Sequence, residues 1–352
     1  MQAFDEILRS AAESGASDIH LSPGNPVAMR VDGRLIKQED RSFSAQDMEG
    51  MLALFMTGEM AQRLKSKGEL NIVYELPEAG RFRISLYRKN GTLASAVRLL
   101  PARAPGLYEI GAPEAIKEVI REPSGILIIN GRAGSGRSTT MASVINEINL
   151  TQQRHIVSIE ENIEFAFTGE RSVIDQRKLF DDTESYSAGI LSAIREDADI
   201  IVLSELSDRE SADQAMYAAE TGKLVLACMC TPDAITAVKR ILELYEPERQ
   251  EHIKERLSGL LRAVLSQMLI PLNEGGRGAA FELLIMTQAV RNLLRDGKYG
   301  QITAIMQTDR RSGMSAMDDS IYEMLLMKRI SEENALYFAK DKSYIRQRLN
   351  GI

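Results

Sequence analysis

From Gly125 onward the chain repeats one pattern. Continuous apolar runs at 126–129, 156–159, 200–203 and 224–227 alternate with longer segments whose apolar positions return at helical spacing. Runs without polar alternation suit strands covered on both faces, so the pattern predicts a mainly parallel sheet flanked by helices, an α/β nucleotide-binding architecture. Upstream the periods are shorter and mixed. Phe4, Ile7, Leu8 and Ala11 predict a helix that stops at Gly15, and Asp18-Ile19-His20-Leu21 predicts a short strand. Strands at 28–31 and 35–36 flank Asp32-Gly33, a dipeptide that favours a tight hairpin turn. Residues 47–65 are helical in period, whereas 70–75 and 81–88 alternate as strands. This is the pattern of a small mixed α+β domain, and Pro101, Pro105 and Gly106 mark its boundary.

Past Thr231 the periods predict helices at 235–244 and 252–269, the second with Leu257, Leu260, Leu261, Val264, Leu265 and Met268 on one apolar face. A turn at Gly275-Gly276, a strand at 279–286 and helices at 288–296, 317–328 and 332–340 follow. The expected division is an N-terminal α+β domain at 1–104, an α/β core at 105–284 and a C-terminal helical region at 285–352.

Between the first apolar run and the helix that follows it lies Gly131-Arg132-Ala133-Gly134-Ser135-Gly136-Arg137-Ser138-Thr139. Glycines let a backbone curl with its N–H groups inward, and the next helix adds free N–H groups and a positive dipole end. Helix-period Met141, Val144, Ile145 and Ile148 supply the context that such a phosphate cradle requires. Gly131, Ala133, Gly134, Ser135, Gly136, Arg137, Ser138 and Thr139 are therefore expected to hold nucleotide phosphates, with the Ser138 hydroxyl placed for Mg²⁺. The usual pattern, G-x-x-x-x-G-K-[ST], has lysine where this chain has Arg137.

Ligands in such sheets bind outside the carboxyl ends of the strands, which directs attention to Glu160, Glu161 and Glu164 after the second run and Ser204, Glu205 and Asp208 after the third. A carboxylate there can ligate Mg²⁺ or orient an attacking water, so Glu160 and Glu205 are the candidate catalytic pair. Arg81 and Arg83 share the face of their strand opposite Phe82, Ile84 and Leu86. Two readings stay open for them and for Arg98 on the next strand: a solvated face, or contacts to an anion.

The 352 residues suffice for two or three domains, and 44% hydrophobic content can fill their cores. Forty-three basic against fifty acidic side chains, no long block of like charge and no Trp argue against nucleic acid as a partner. The start of the chain carries no cationic leader with an apolar core, and no apolar run reaches the roughly 18 residues of a membrane span, so a cytosolic protein is expected. Cys228 and Cys230, two apart, fit reduced thiols better than a disulfide framework or a four-ligand zinc site. The three histidines are too dispersed to suggest a site.

Several blocks together resemble the retraction, or twitching-motility, ATPases of type IV pili within the secretion ATPase superfamily. They are Gly15-Ala16-Ser17-Asp18-Ile19-His20-Leu21, Arg81-Phe82-Arg83, the phosphate loop, Ser158-Ile159-Glu160-Glu161-Asn162-Ile163-Glu164-Phe165, Ala193-Ile194-Arg195-Glu196-Asp197, Ala219-Glu220-Thr221-Gly222 and Ala289-Val290-Arg291-Asn292-Leu293-Leu294-Arg295. The last looks like the helix motif of retraction motors, and the four-cysteine zinc insertion of assembly motors is missing. The resemblance implies a PAS-like N-terminal domain, a RecA-like P-loop ATPase domain and a C-terminal helical region. It further implies a hexameric ring on the cytoplasmic side of the inner membrane, docked on the pilus platform protein, with ATP and Mg²⁺ bound between the two domains. On that basis Arg81, Arg83 and Arg98 are expected to contact phosphates, Glu160 to act as general base and Glu205 to stand as the Walker B glutamate.

The chain departs from the family where nucleotide is touched. The P-loop lysine is Arg137, the aspartate–proline pair after the base is Glu161-Asn162, and the Gly-Glu-Met-Arg-Asp block is Ser204-Glu205-Leu206-Ser207-Asp208. The two histidines of the family's histidine box align with Lys223 and Cys230, and an N-domain arginine with Gly91. A planar guanidinium cannot replace a point charge without moving loop or phosphate. The expected function is a retraction motor subunit whose ATP binding survives better than its hydrolysis. The alternative is a non-catalytic pseudo-ATPase ring, assembled with an active paralogue or docked on the membrane platform, or a regulatory component of a pilus or type II secretion-like machine.

Overall fold

The computed structural model describes residues 2–31, 34–53 and 56–350. They form two compact units that meet in sequence between Arg103 and Ala104.

In the first unit, helix α1 (Gln2–Glu13) buries Phe4, Ile7, Leu8 and Ala11, and Gly15 turns the chain at φ 67°. Strands β1 (Asp18–Leu21), β2 (Pro26–Val31) and β3 (Arg34–Ser42) come next. Val31 pairs with Arg34, so two residues join β2 to β3; the expected turn at Asp32-Gly33 lies outside the described residues. The helical period at 47–65 is realised as two helices, α2 (Ala45–Ala53) and α3 (Gly58–Lys67), with residues 54 and 55 outside the description. The Thr57 side chain accepts from the N–H of Met60 and starts α3 afresh, and Gly68 ends it at φ 80°. Strands β4 (Glu69–Leu76), β5 (Gly80–Lys89) and β6 (Thr92–Leu100) complete a six-stranded antiparallel sheet in the order β3-β2-β1-β6-β5-β4. Its core packs Phe82, Ile84 and Leu86 against Phe4, Ile7 and Leu8. Asn90 (φ 50°) and Gly91 (φ 81°) make the two-residue turn between β5 and β6, a left-handed pair for which glycine is the natural occupant. The place of a family arginine is thus taken by a hairpin tip.

The second unit opens with α4 (Ile116–Val119), β7 (Gly125–Asn130), α5 (Arg137–Thr151), β8 (His155–Glu160) and β9 (Val173–Lys178). It continues through α6 (Tyr186–Arg195), β10 (Ile200–Leu203), α7 (Arg209–Glu220), β11 (Leu224–Met229), α8 (Ala234–Leu242) and α9 (Pro247–Leu260). Strands β12 (Leu261–Pro271) and β13 (Arg277–Ile285) close a seven-stranded sheet ordered β13-β12-β7-β11-β10-β8-β9, parallel except for β13. The apolar runs are buried on both faces, as their lack of alternation requires: Leu127 and Ile129 meet Met141, Val144 and Ile145 of α5, while Ile126 and Ile128 join the core of the other face.

The helix expected at 252–269 is corrected by the structure. Helix α9 ends at Leu260, and Leu261, Val264 and Leu265 belong to β12, which pairs with β7 on one side and β13 on the other. A continuous apolar run reads equally as a buried helix segment or a central strand, and here the open edge of β7 decides.

After β13 come α10 (Gln288–Arg295), α11 (Tyr299–Thr308), α12 (Met317–Leu326), α13 (Glu332–Phe338) and α14 (Lys342–Asn350). Arg291, in the block that resembles the retraction motif, donates to the carbonyls of Ser258 and Gly259 and so roots α10 on the end of α9. Lys340 reaches back to the sheet, donating to Glu282 of β13 at 3.0 Å and standing 3.7 Å from Asp233, the N-cap of α8. The other oxygen of the buried Glu282 accepts from the N–H of Ala234 at 3.0 Å.

Candidate functional site

The glycine-rich loop leaves β7 at its carboxyl end and enters α5. Gly134 (φ 75°) and Gly136 (φ 88°) take left-handed conformations, and Gly136 is the N-cap residue of α5. Gly131 has no room for a side chain, since a Cβ there would stand 2.3 Å from Ser135 Oγ and 2.6 Å from the Gln267 carbonyl. Arg132, Ala133, Gly134 and Ser138 are exposed, whereas Ser135 is buried beneath the loop. Thr139 is half-buried and its carbonyl accepts from Ser143 within α5. An open rim of backbone over a packed floor, at a helix N-terminus, suits a polyanion.

Three carboxyl-end segments converge beside the loop. In strand order β7-β11-β10-β8, the loop follows β7, Cys230 follows β11, Glu205 follows β10 and Glu160 ends β8. Arg137 reaches past β11, a span of roughly 9–10 Å at two strand spacings, and its Nη1 pairs with Glu205 Oε2 at 2.9 Å. Both side chains are largely shielded, 18% and 26% exposed. The Cys230 N–H donates to Glu205 Oε1 at 3.2 Å, so both carboxylate oxygens have donors.

Glu160 is held differently. Its Oε1 accepts from the Ser158 hydroxyl at 2.8 Å and the Gln176 amide at 3.0 Å, and the same amide nitrogen donates to the Phe165 carbonyl at 2.8 Å. Glu161 donates its N–H to Ser204 Oγ, which is bonded to Tyr186 Oη at 2.8 Å. Burial pushes the Tyr186 phenol well above its ordinary value, so it stays protonated. Burial likewise pushes the Cys228 thiol up to about 12, and Cys228 and Cys230 are both free. Asp208, inspected for metal chemistry, instead caps α7 by accepting from the Ser211 N–H at 2.8 Å.

The structure separates two residues that the histidine-box alignment joins. Cys230 lies at the carboxyl edge, but Lys223 precedes β11 at the amino edge, with its Nζ 3.6 Å from Asp197. Six residues of strand, roughly 20 Å, lie between them. Lys223 is not part of the loop's surroundings within this chain.

Arg81, Arg83 and Arg98 belong to the first unit. Arg83 pairs across with Arg98, and Arg98 with Asp18, which gathers the three arginines on the face of the sheet opposite its core. Arg98 Nε donates to Asp18 Oδ1 at 2.8 Å. Burial would raise the Asp18 carboxyl, but the hydrogen bonds from Arg98 and Ser17 and the Arg98 charge outweigh it and hold the group below its ordinary value.

A glycine cradle at the carboxyl edge of a parallel sheet, with carboxylates after two further strands, defines a P-loop nucleotide-binding protein. Over residues 1–329 the sequence matches the type II/IV secretion system protein family, and the chain belongs to that family. It is 34% identical over 335 residues to the type IV pilus retraction ATPase PilT of Pseudomonas aeruginosa, covering 95% of this chain and 97% of that one. It is 35% identical over 317 residues to YggR of Escherichia coli K12, covering 90% and 96%. The crystal structure of the pilus retraction motor PilT with bound ADP superposes with a TM-score of 0.89 at 35% identity, covering 97% of this chain and 98% of that one. The resemblance to retraction ATPases is borne out, and so is a fold with an N-terminal α+β and a RecA-like domain.

Sequence reading missed Ser158, Gln176 and Gln267. The first two are polar residues in strands, a signal that period analysis discards. Gln267 was hidden by the mistaken helix, although it is a polar residue within an apolar run.

Proposed function

We propose that the chain is a subunit of a retraction-type pilus motor ring, a hexamer of itself or a ring mixed with an active paralogue, that binds ATP with Mg²⁺ and hydrolyses it weakly. The observation that carries this reading is the Arg137–Glu205 ion pair at 2.9 Å. The cradle supports phosphate binding through its backbone and helix N-terminus, with Arg81, Arg83 and Arg98 of the first unit supplying further positive charge. The oxygen donors suit a hard cation: Ser138 is exposed in the first turn of α5, and Glu205 offers a carboxylate once Arg137 turns from it to phosphate. Bound Mg²⁺ supplies charge neutralisation along the phosphates. Glu160 takes the proton of the attacking water while the bond from the γ-phosphorus to its bridging oxygen breaks, yielding ADP and phosphate. Each cycle has to break the ion pair first, and the guanidinium cannot reproduce the lysine's compact contact. The ring acts at the cytoplasmic face of the inner membrane against the pilus platform protein, with no nucleic acid involved; among the described residues no helix is long and apolar enough to cross a membrane.

The same ion pair favours a second reading, a non-catalytic ring component in which Arg137 keeps Glu205 permanently neutralised. ATP affinity and steady-state turnover of the full chain, beside Arg137→Lys and Glu205→Gln, decide between them. The motor reading expects ATP binding, higher turnover in Arg137→Lys, and a loss of about 10²–10³ on Glu205→Gln. Binding without turnover, unmoved by either substitution, selects the second reading.

A further inference from the structure

Strand β12 runs eleven residues while β7 beside it runs six, so β12 continues alongside the phosphate loop. Gln267 stands in that overhang, 2% exposed. Its Nε2 donates to the Ser135 carbonyl at 2.7 Å, its own carbonyl lies 2.6 Å from where a Gly131 Cβ would be, and its amide lies 3.2 Å from the corresponding position at Gly136. One residue thus underlies three positions of the loop, its backbone carbonyl beneath Gly131 and its side-chain amide beneath Ser135 and Gly136.

The peptide between Ser135 and Gly136 is trans, as all the described peptides are, and in a trans peptide C=O and N–H point in opposite directions. Because the carbonyl is drawn down to Gln267, the Gly136 N–H is turned up and away from β12. We infer that Gln267 is a positioning residue of the nucleotide site: it fixes the orientation of that peptide so that the Gly136 N–H is presented to a bound phosphate before the phosphate arrives. The inference rests on the nucleotide-binding reading above. Pre-orientation matters because Gly136, left-handed and without a Cβ, has access to alternative peptide orientations that would turn a carbonyl oxygen toward the anion. Gln267 gains nothing comparable elsewhere: its Oε1 is buried with no hydrogen-bond partner, as is the Ser135 hydroxyl beside it. A buried amide that satisfies only its donor half is poorly explained by stability alone.

The test is calorimetric ATP binding with Mg²⁺ to the full chain, to Gln267→Met, which keeps length but loses the donor, and to Gln267→Glu, whose carboxylate faces the Ser135 carbonyl. Each is also melted without nucleotide. Wild type is expected to bind, Gln267→Met to bind about tenfold more weakly and Gln267→Glu more weakly still, while the melting of Gln267→Met stays cooperative and within a few degrees of wild type. Unchanged affinity in folded Gln267→Met overturns the role of Gln267. No binding by wild type instead overturns the nucleotide reading. Should neither variant fold, amide exchange on wild type decides: the Gly136 N–H is expected to gain protection on adding ATP, and exchange indifferent to ATP alongside measured binding removes the inference.

Discussion

Glu160 ends one strand and Glu205 follows its neighbour in the same sheet, and the donors to Glu160 Oε1 and Glu205 Oε2 differ in kind. A hydroxyl and an amide, both neutral, fix Glu160 Oε1, whereas Glu205 Oε2 faces a guanidinium 2.9 Å away. A hydroxyl or amide donor aims the oxygen it meets, whereas a guanidinium also offsets the charge that a metal- or phosphate-bound site would use. The difference teaches that two carboxylates at the same edge of one sheet can be held by different kinds of donor: both oxygens of Glu205 are engaged, one by the Arg137 guanidinium and one by the Cys230 N–H.

The largest effect expected from this contrast is on rate. In an Arg137→Lys background, Glu160→Gln and Glu205→Gln are each expected to lower steady-state ATP turnover by about 10²–10³; full activity in either double variant breaks the comparison. Next is the strength of the pair itself. Unfolding by urea of Arg137→Met, Glu205→Gln and the double variant is expected to give a coupling energy of about 1–2 kcal/mol, since both groups are shielded without being fully buried. Coupling near zero would mean that Arg137 does not restrain Glu205. For Glu160, Gln176→Leu removes the donor shared with the Phe165 carbonyl and is expected to destabilise the chain by about 1 kcal/mol, read from the urea midpoint at constant slope.

The smallest effect belongs to the other unit, where Arg98 and Asp18 repeat the guanidinium–carboxylate pairing at a more exposed place. The Asp18 carboxyl is held below its ordinary value, so the pair's contribution is present above about pH 4 and lost as pH falls below it. The melting difference between wild type and Arg98→Leu is expected to be full at pH 6 and to shrink as pH falls through the lowered Asp18 value; a difference that does not change with pH would assign Arg98 a role other than this pair.

Much of the scaffold was readable from local pattern. The strand at 18–21 falls where its residues indicated, and the four apolar runs are the inner strands β7, β8, β10 and β11. Local pattern suffices when a segment's period reflects its own burial. It failed at 252–269, where leucine spacing fits helix and strand alike and only the vacant side of β7 discriminates. It gave no sign of β9, an edge strand with polar Asp175, Gln176, Arg177 and Lys178. The site divides along the same line. The loop's glycines were legible because backbone curvature needs them locally, but Arg137 meets Glu205 across 68 positions and Gln267 meets Ser135 across 132. Nothing in one-dimensional spacing reports a meeting of that kind.

The contact of Lys340 with Glu282 has a consequence for how the chain comes into being. Synthesis delivers residues in order, and domains generally fold as they emerge. Lys340 follows Glu282 by 58 positions, so the strands of the sheet and the loop are synthesised before it. Until then Glu282 stands in β13 without this ammonium partner, beside the Asp233 cap whose carbonyl Asn130, the residue preceding the loop, also holds at 2.9 Å. A product that stops short of Lys340 would therefore hold the whole glycine-rich loop and still lack the cation that faces Glu282 and Asp233 beneath it.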